Sequence, residues 1–218
     1  RLEQKLILQE IWSTCMNKKF LFCAVFFSSC AQLTFQDYQN VADLIFQENE
    51  QLRINSEYIE NRNFSFAKIN IGNKNSAILS LVTVENGIFT WISANGEKVI
   101  TRNGRVIESH GLDYDFITLN SSEFQFEPRS YELIVQLENP RAIITQSNTI
   151  SLAGDEPLFL DKQYQTELFI ENFLSSPINW KGKNYFWIDK STGLALRTHQ
   201  HVHPYEESIE LEFYYIFR

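Results

Sequence analysis

Two Asn-Gly dipeptides, Asn86-Gly87 and Asn103-Gly104, each lie between short runs in which apolar and polar residues alternate. Residues 77–85 (AILSLVTVE) and 88–93 (IFTWIS) flank the first, and residues 97–102 (EKVITR) and 105–109 (RVIES) flank the second. A type I′ turn requires φ > 0 at both central residues, which Asn and Gly tolerate at the least steric cost. Alternation around Asn-Gly therefore specifies a two-residue β-hairpin.

The same period continues to the end of the chain. Residues 130–138 (SYELIVQLE), 141–150 (RAIITQSNTI) and 164–172 (YQTELFIEN) alternate in places, and residues 185–189 (YFWID) and 194–203 (LALRTHQHVH) flank a turn at Ser191-Thr192-Gly193. In the last segment Ile209, Leu211, Phe213, Tyr215 and Phe217 share one face, with Glu210, Glu212 and Tyr214 on the other. Before these strands, Thr34 with Asp37 fits a capping box, and Phe35, Tyr38, Val41, Ala42, Leu44 and Ile45 make a helical stripe, so a helix is expected at 34–47. No period of 20–50 residues recurs, which argues against a propeller or solenoid. The expected fold is mainly β: an antiparallel, strongly bent sheet, sandwich or half-barrel with one short N-terminal α-helix.

The most apolar run, FLFCAVFFSSC at 20–30, follows Met16 and the lysines Lys18 and Lys19. Its eight apolar residues are too few for a transmembrane helix, which needs roughly 20. A basic n-region, a short apolar stretch and small residues before a break are the parts of a signal peptide. Phe27-Ser28-Ser29-Cys30 resembles the lipobox of bacterial lipoproteins, with Phe27 where Leu is usual. That resemblance implies an acylated Cys30 as the mature N-terminus, with 16–29 as signal peptide and 30–218 as a single β-rich periplasmic domain. Residues 1–15 read as translation upstream of the start. All three cysteines, Cys15, Cys23 and Cys30, precede Ala31. A disulfide or cysteine-bound metal is thus excluded from the domain that follows.

Charge narrows the function classes. The chain carries −8, and removing the four basic and two acidic residues before Cys30 leaves 15 basic against 25 acidic, a charge near −10. A nucleic-acid binder needs a basic face to neutralise phosphates, so that class is excluded. Anionic lipid surfaces offer such a domain nothing, and attachment must come from acyl chains.

Candidate site residues are few. His199, His201 and His203 fall at i, i+2 and i+4, which on a strand is one face. They read as a polar strand face, with a three-imidazole metal site as the alternative. Asp113 and Asp115 read as a turn. Trp91, Trp180 and Trp187 could stack on sugar rings, although aromatics at strand period also build cores. Neither a nucleophile elbow, nor a phosphate loop, nor an HExxH motif occurs. No catalytic set and no cofactor is expected.

The run from Ile78 to Phe116, with Trp91-Ile92-Ser93 and TRNGRVIESHGLDYDF at 101–116, then NYFWIDKSTGLALRTHQ at 184–200, resembles the YjbF/GfcB family. These are group 4 capsule and exopolysaccharide lipoproteins of Gram-negative bacteria, and the resemblance covers nearly the whole chain after Cys30. It implies a lipid-anchored envelope protein working with polysaccharide export, and supplies no catalytic residues. Ala31 after the cysteine, where aspartate would retain the protein in the inner membrane, implies the outer membrane facing the periplasm. The expected function is non-enzymatic assistance of capsule or exopolysaccharide assembly or export, by binding polymer or a partner export protein. The alternatives are a half-barrel carrier of a lipid or acyl chain, and a metal-dependent envelope enzyme built on the three histidines.

Overall fold

The computed structural model describes residues 54–72, 75–121 and 124–216. The chain divides after Glu50, and residues 51–218 form one compact unit. Cys30, the signal segment and the helix expected at 34–47 lie outside the described residues.

Within them a short helix, α1 (Ser56–Glu60), precedes twelve strands. Asn55 caps α1 by accepting from the Tyr58 backbone N–H at 2.8 Å, a local cap that strand alternation does not reveal. The strands are β1 (Phe66–Ile71), β2 (Asn75–Glu85), β3 (Ile88–Ser93), β4 (Lys98–Arg102), β5 (Arg105–His110) and β6 (Phe116–Thr118). They continue as β7 (Arg129–Glu138), β8 (Arg141–Phe159), β9 (Gln163–Ser175), β10 (Trp180–Asp189), β11 (Ala195–Gln200) and β12 (Ile209–Tyr214). Asn86 (φ 52°) with Gly87 (φ 75°), and Asn103 (φ 50°) with Gly104 (φ 79°), make the two expected hairpin turns.

Each strand pairs antiparallel with its neighbour in sequence, and β12 pairs with β1 from Phe66↔Tyr214 to Ile71↔Ile209. The sheet is therefore a closed barrel, which replaces the sandwich or half-barrel expected from the sequence. The physical reason is edge satisfaction. Joining β1 to β12 removes the two unpaired edges that an open sheet would expose.

The wall turns apolar residues inward, while its outer positions mix polar residues with exposed apolar ones such as Val82, Val84, Ile134, Ile143 and Phe159. Ala67 and Ile69, Leu133, Val135 and Leu137, and Ile209, Leu211 and Phe213 belong to the buried core. Between them Lys68, Glu132, Gln136, Glu210 and Glu212 occupy the alternate positions. The interior is packed with apolar side chains, whereas that of a bilayer-spanning barrel is polar.

A round twelve-stranded barrel would be wider than side chains can fill, since eight strands already leave room only for side chains or one small ligand. Here opposite walls approach each other. Gln200 of β11, fully buried, accepts from the Val106 N–H of β5 at 3.1 Å and donates to the Gly104 carbonyl at 2.9 Å. A Cβ on Gly104 would lie 2.3 Å from that of Ala195, so both the approach and the positive φ require glycine there. Phe124 and Phe126, from the connection between β6 and β7, add their rings to the interior. Both lie 5.4 Å from Phe186, and Phe126 lies 5.2 Å from Phe169.

One buried ion pair crosses this interior. Glu171 of β9 is bonded to Arg105 of β5 and to the Tyr131 hydroxyl, and accepts from the Asn184 side chain at 2.6 Å. Arg105 in turn lies 4.6 Å from the Phe124 ring centroid. Burial raises the Tyr131 phenol above its ordinary range, so it stays protonated and donates. The remaining Asn184 oxygen accepts from the His201 N–H at 2.8 Å, which ties the segment after β11 to the core.

Candidate functional site

Register builds the site on the outer face of β9–β12 and β1. Across one row, Ile170, Tyr185, His199, Glu210 and Asn70 stand side by side on successive strands. Across the next, Leu168, Trp187, Arg197, Glu212 and Lys68 do the same. On β10 the alternation of YFWID sends Phe186 and Ile188 into the core and leaves Tyr185 and Trp187 half-buried outside. Thr198 and Gln200 of β11 are buried, while Arg197 and His199 take the outward positions.

β8 supplies the last component. Its residues past Ile150 have β9 as partner but no further residue of β7. That free edge is blunted by a bulge between Leu152 and Gly154, by the charges Asp155 and Glu156, and by Pro157. Glu156 thereby reaches Trp187, whose indole N–H donates to its carboxylate at 3.1 Å.

The result is a groove of about 380 Å³ lined by Tyr185 and Trp187, with Arg197, His199, Glu156 and Glu210 around them. The two aromatic rings are stacked at 26° with centroids 6.2 Å apart. Arg197 is paired with Glu210 and lies 5.4 Å from the Trp187 centroid. The Arg197 Nε and His199 Nδ1 atoms are buried with no hydrogen-bond partner among the described residues. A second groove of about 440 Å³ shares His199 and Glu210 and adds His201, Asn70, Glu206 and Glu207. A third, about 570 Å³, crosses β7–β9 and presents Ser130, Ser147, Thr149 and Asn172. Its two aromatic lining residues are committed elsewhere, Tyr131 to Glu171 and Phe173 to the core, and no Lys or Arg is among its described lining residues.

The three histidines do not converge as a continuous strand face would bring them. β11 ends at Gln200, so the i, i+2, i+4 geometry stops after His199. His199 and His201 remain neighbours, their rings 5.5 Å apart and edge to face. His203 turns away and is buried against Tyr114, 4.9 Å between centroids, with its Nδ1 accepting from the Tyr205 N–H at 3.2 Å. Burial lowers the pKa of both His201 and His203, and His199 lowers that of His201 further, which favours neutral rings. Among the described residues no group of three or more His, Cys, Asp and Glu side chains is arranged to hold a metal.

The tryptophans also part ways. Trp91 is fully buried and donates to the Thr101 hydroxyl at 2.9 Å. Trp180 packs edge to face on Phe173 at 4.8 Å, and only Trp187 of the three stands in the groove. Asp115 holds its turn by accepting from the Ser109 hydroxyl at 2.8 Å and from the Gly111 N–H at 2.7 Å. Tyr185, Arg197, Glu210 and Glu156 were not singled out from the sequence. The alternation fixes which residues share a face with each of them, but which face is outward and which strands stand beside one another are not written in it.

A model of the family described as group 4 capsule polysaccharide lipoprotein gfcB, YjbF, matches residues 39–214 of the chain. The crystal structure of the hypothetical lipoprotein YmcC from Escherichia coli (K12) superposes with a TM-score of 0.63. It is 20% identical, over 70% of this chain and 87% of that one, and at that identity the likeness is one of fold. No curated protein matches.

Proposed function

We propose that this chain, which belongs to the YjbF family of group 4 capsule polysaccharide lipoproteins, is an outer-membrane lipoprotein facing the periplasm that assists capsule or exopolysaccharide assembly or export by binding polymer. The observation that carries polymer binding is the Tyr185–Trp187 pair, stacked in an outer-face groove and ringed by hydrogen-bonding side chains. An aromatic face is the negative side of a quadrupole and accepts the C–H face of a sugar ring. Arg197, Glu156 and Glu210 beside it offer donors and acceptors for hydroxyls. This is a binding arrangement, and the protein acts without catalysing a reaction.

Attachment is assigned to Cys30, and the two halves of the proposal are tested separately. Palmitate labelling of the wild type and of Cys30→Ser is expected to mark only the wild type, and the serine form is expected to complement a deletion strain poorly. Label retained on the serine form, or a mature protein that still carries residues 20–27, would defeat the anchor assignment. Tyr185→Ala/Trp187→Ala, folded and anchored normally, is expected to lower surface polymer several-fold and polymer affinity at least tenfold, which is about 1.4 kcal/mol. Wild-type polymer levels in that variant would rule out the groove.

A further inference from the structure

We infer that the polymer-binding face runs on from the Tyr185–Trp187 pair, across β9, into the hydroxyl-lined groove of β7–β9, so that its ligand is an extended stretch of polysaccharide and not a single sugar ring. The inference rests on the polymer-binding reading above and adds the length of the segment that is gripped.

Register joins the two grooves. Tyr185 of β10 stands across from Ile170 of β9, and two residues along the same strands Lys183 stands across from Asn172. Asn172 is in turn across from Thr149 of β8, and Thr149 from Ser130 of β7. A step of two residues returns to the same face of a strand, so these side chains share the outer face with Tyr185. Lys183, Asn172, Thr149 and Ser130 are exposed there, and Ile170 is half-buried between the grooves. From the middle of the aromatic pair to Thr149 is three residues along and two strands across, about 14 Å at the usual strand rise and spacing. A pyranose ring is about as long as one strand spacing, about 5 Å, so about three rings cover that span.

The chemistry along this path suits a sugar chain. At one end the aromatic faces take the C–H side of a ring. At the other, Ser147, Thr149 and Asn172 are short, uncharged side chains that both donate and accept. The Ser130 and Thr149 hydroxyls lie 3.0 Å apart, which uses one of their two protons and leaves the other for a ligand. Leu174, 42% exposed and two residues from Asn172, adds an apolar surface beside them. Each exposed hydrogen bond contributes little on its own, since it replaces one made to water. Once the aromatic pair holds one ring, however, the next rings of the same chain meet the hydroxyl groove at high effective concentration. Length is therefore what converts the weak second groove into affinity.

The test uses the detergent-solubilised full chain and polymer from the producing cells, partly hydrolysed and sized into mono- and disaccharides and into penta- and hexasaccharides. Binding is read from tryptophan fluorescence. The long fragments are expected to bind at least tenfold more tightly than the short ones, more than the few-fold gain that extra binding registers supply. Thr149→Val/Asn172→Val, two exposed strand positions, is expected to cut that gain to threefold or less while changing short-fragment affinity less than twofold. Tyr185→Ala/Trp187→Ala is expected to weaken both fractions. A wild-type gain of threefold or less, or a gain that the Thr149/Asn172 substitutions leave intact, overturns the extended path and leaves the aromatic groove standing. If neither fraction binds, polymer binding itself falls, and the extended path with it.

Discussion

Glu171→Leu is expected to be among the most destabilising single changes in the barrel, costing about 3–5 kcal/mol in urea unfolding. Glu171 is fully buried and is the common partner of Arg105, Tyr131 and Asn184. Leucine would leave the Arg105 guanidinium in an apolar setting against Phe124 and Phe186, with no counter-charge. An uncompensated buried charge costs far more than a well-formed buried pair contributes. The decisive comparison is therefore with Arg105→Met/Glu171→Leu. Removing both charges is expected to recover at least about 1 kcal/mol relative to Glu171→Leu, because the desolvation penalty disappears with the pair. A single variant within about 1 kcal/mol of wild type, or a double variant less stable than the single, would contradict this account.

Trp91→Ala is the second large effect, with an expected loss of about 3–5 kcal/mol. Trp91 is completely buried, its ring 5.2 Å from Phe213 and 6.0 Å from Phe89, and its indole N–H satisfies the buried Thr101 hydroxyl. Alanine would open a cavity on the inner wall and leave Thr101 without that donor. For a domain of this size each kcal/mol moves Tm by about 2–4 °C, so a fall of about 6–20 °C is expected. Trp187→Ala, by contrast, removes a half-buried ring from the outer face, and a change of about 0.5 kcal/mol or less is expected. Thermal unfolding of the two variants side by side separates a core tryptophan from a surface one. Similar losses in both would mean that the Trp187 ring holds the fold and not a ligand.

The difference between these two tryptophans marks how far the sequence could be read. Both sit on alternating strands, Trp91 in IFTWIS and Trp187 in YFWID, and each pattern fixes which residues share a face. Which face is inward is a matter of partners. Phe186 meets Phe124 and Phe126 in the interior, and that assigns Trp187 to the outside. In β9 the sequence FIENF places Glu171 on the same face as Phe169 and Phe173, a visible sign of a buried acid whose partner Arg105 lies on a distant strand. The histidine run failed as one face because β11 stops at Gln200, with the following segment held by Asn184 and the chain turning before Pro204.

The sequence by itself determined the local elements: tight hairpins at Asn86-Gly87 and Asn103-Gly104, strands of period two, and which residues of each strand share a face. These depend on residues a few positions apart, whose steric and solvation preferences act within a single turn or strand. Closure of the barrel was decided only by tertiary structure, through the pairing of Phe66–Ile71 with Ile209–Tyr214. An open sheet and a closed one share the same alternation, and differ only in whether two edges far apart in the chain satisfy each other's backbone groups. The groove has the same origin. Glu156, Trp187, Arg197 and Glu210 come from four strands, and their juxtaposition is set by the register of the closed wall.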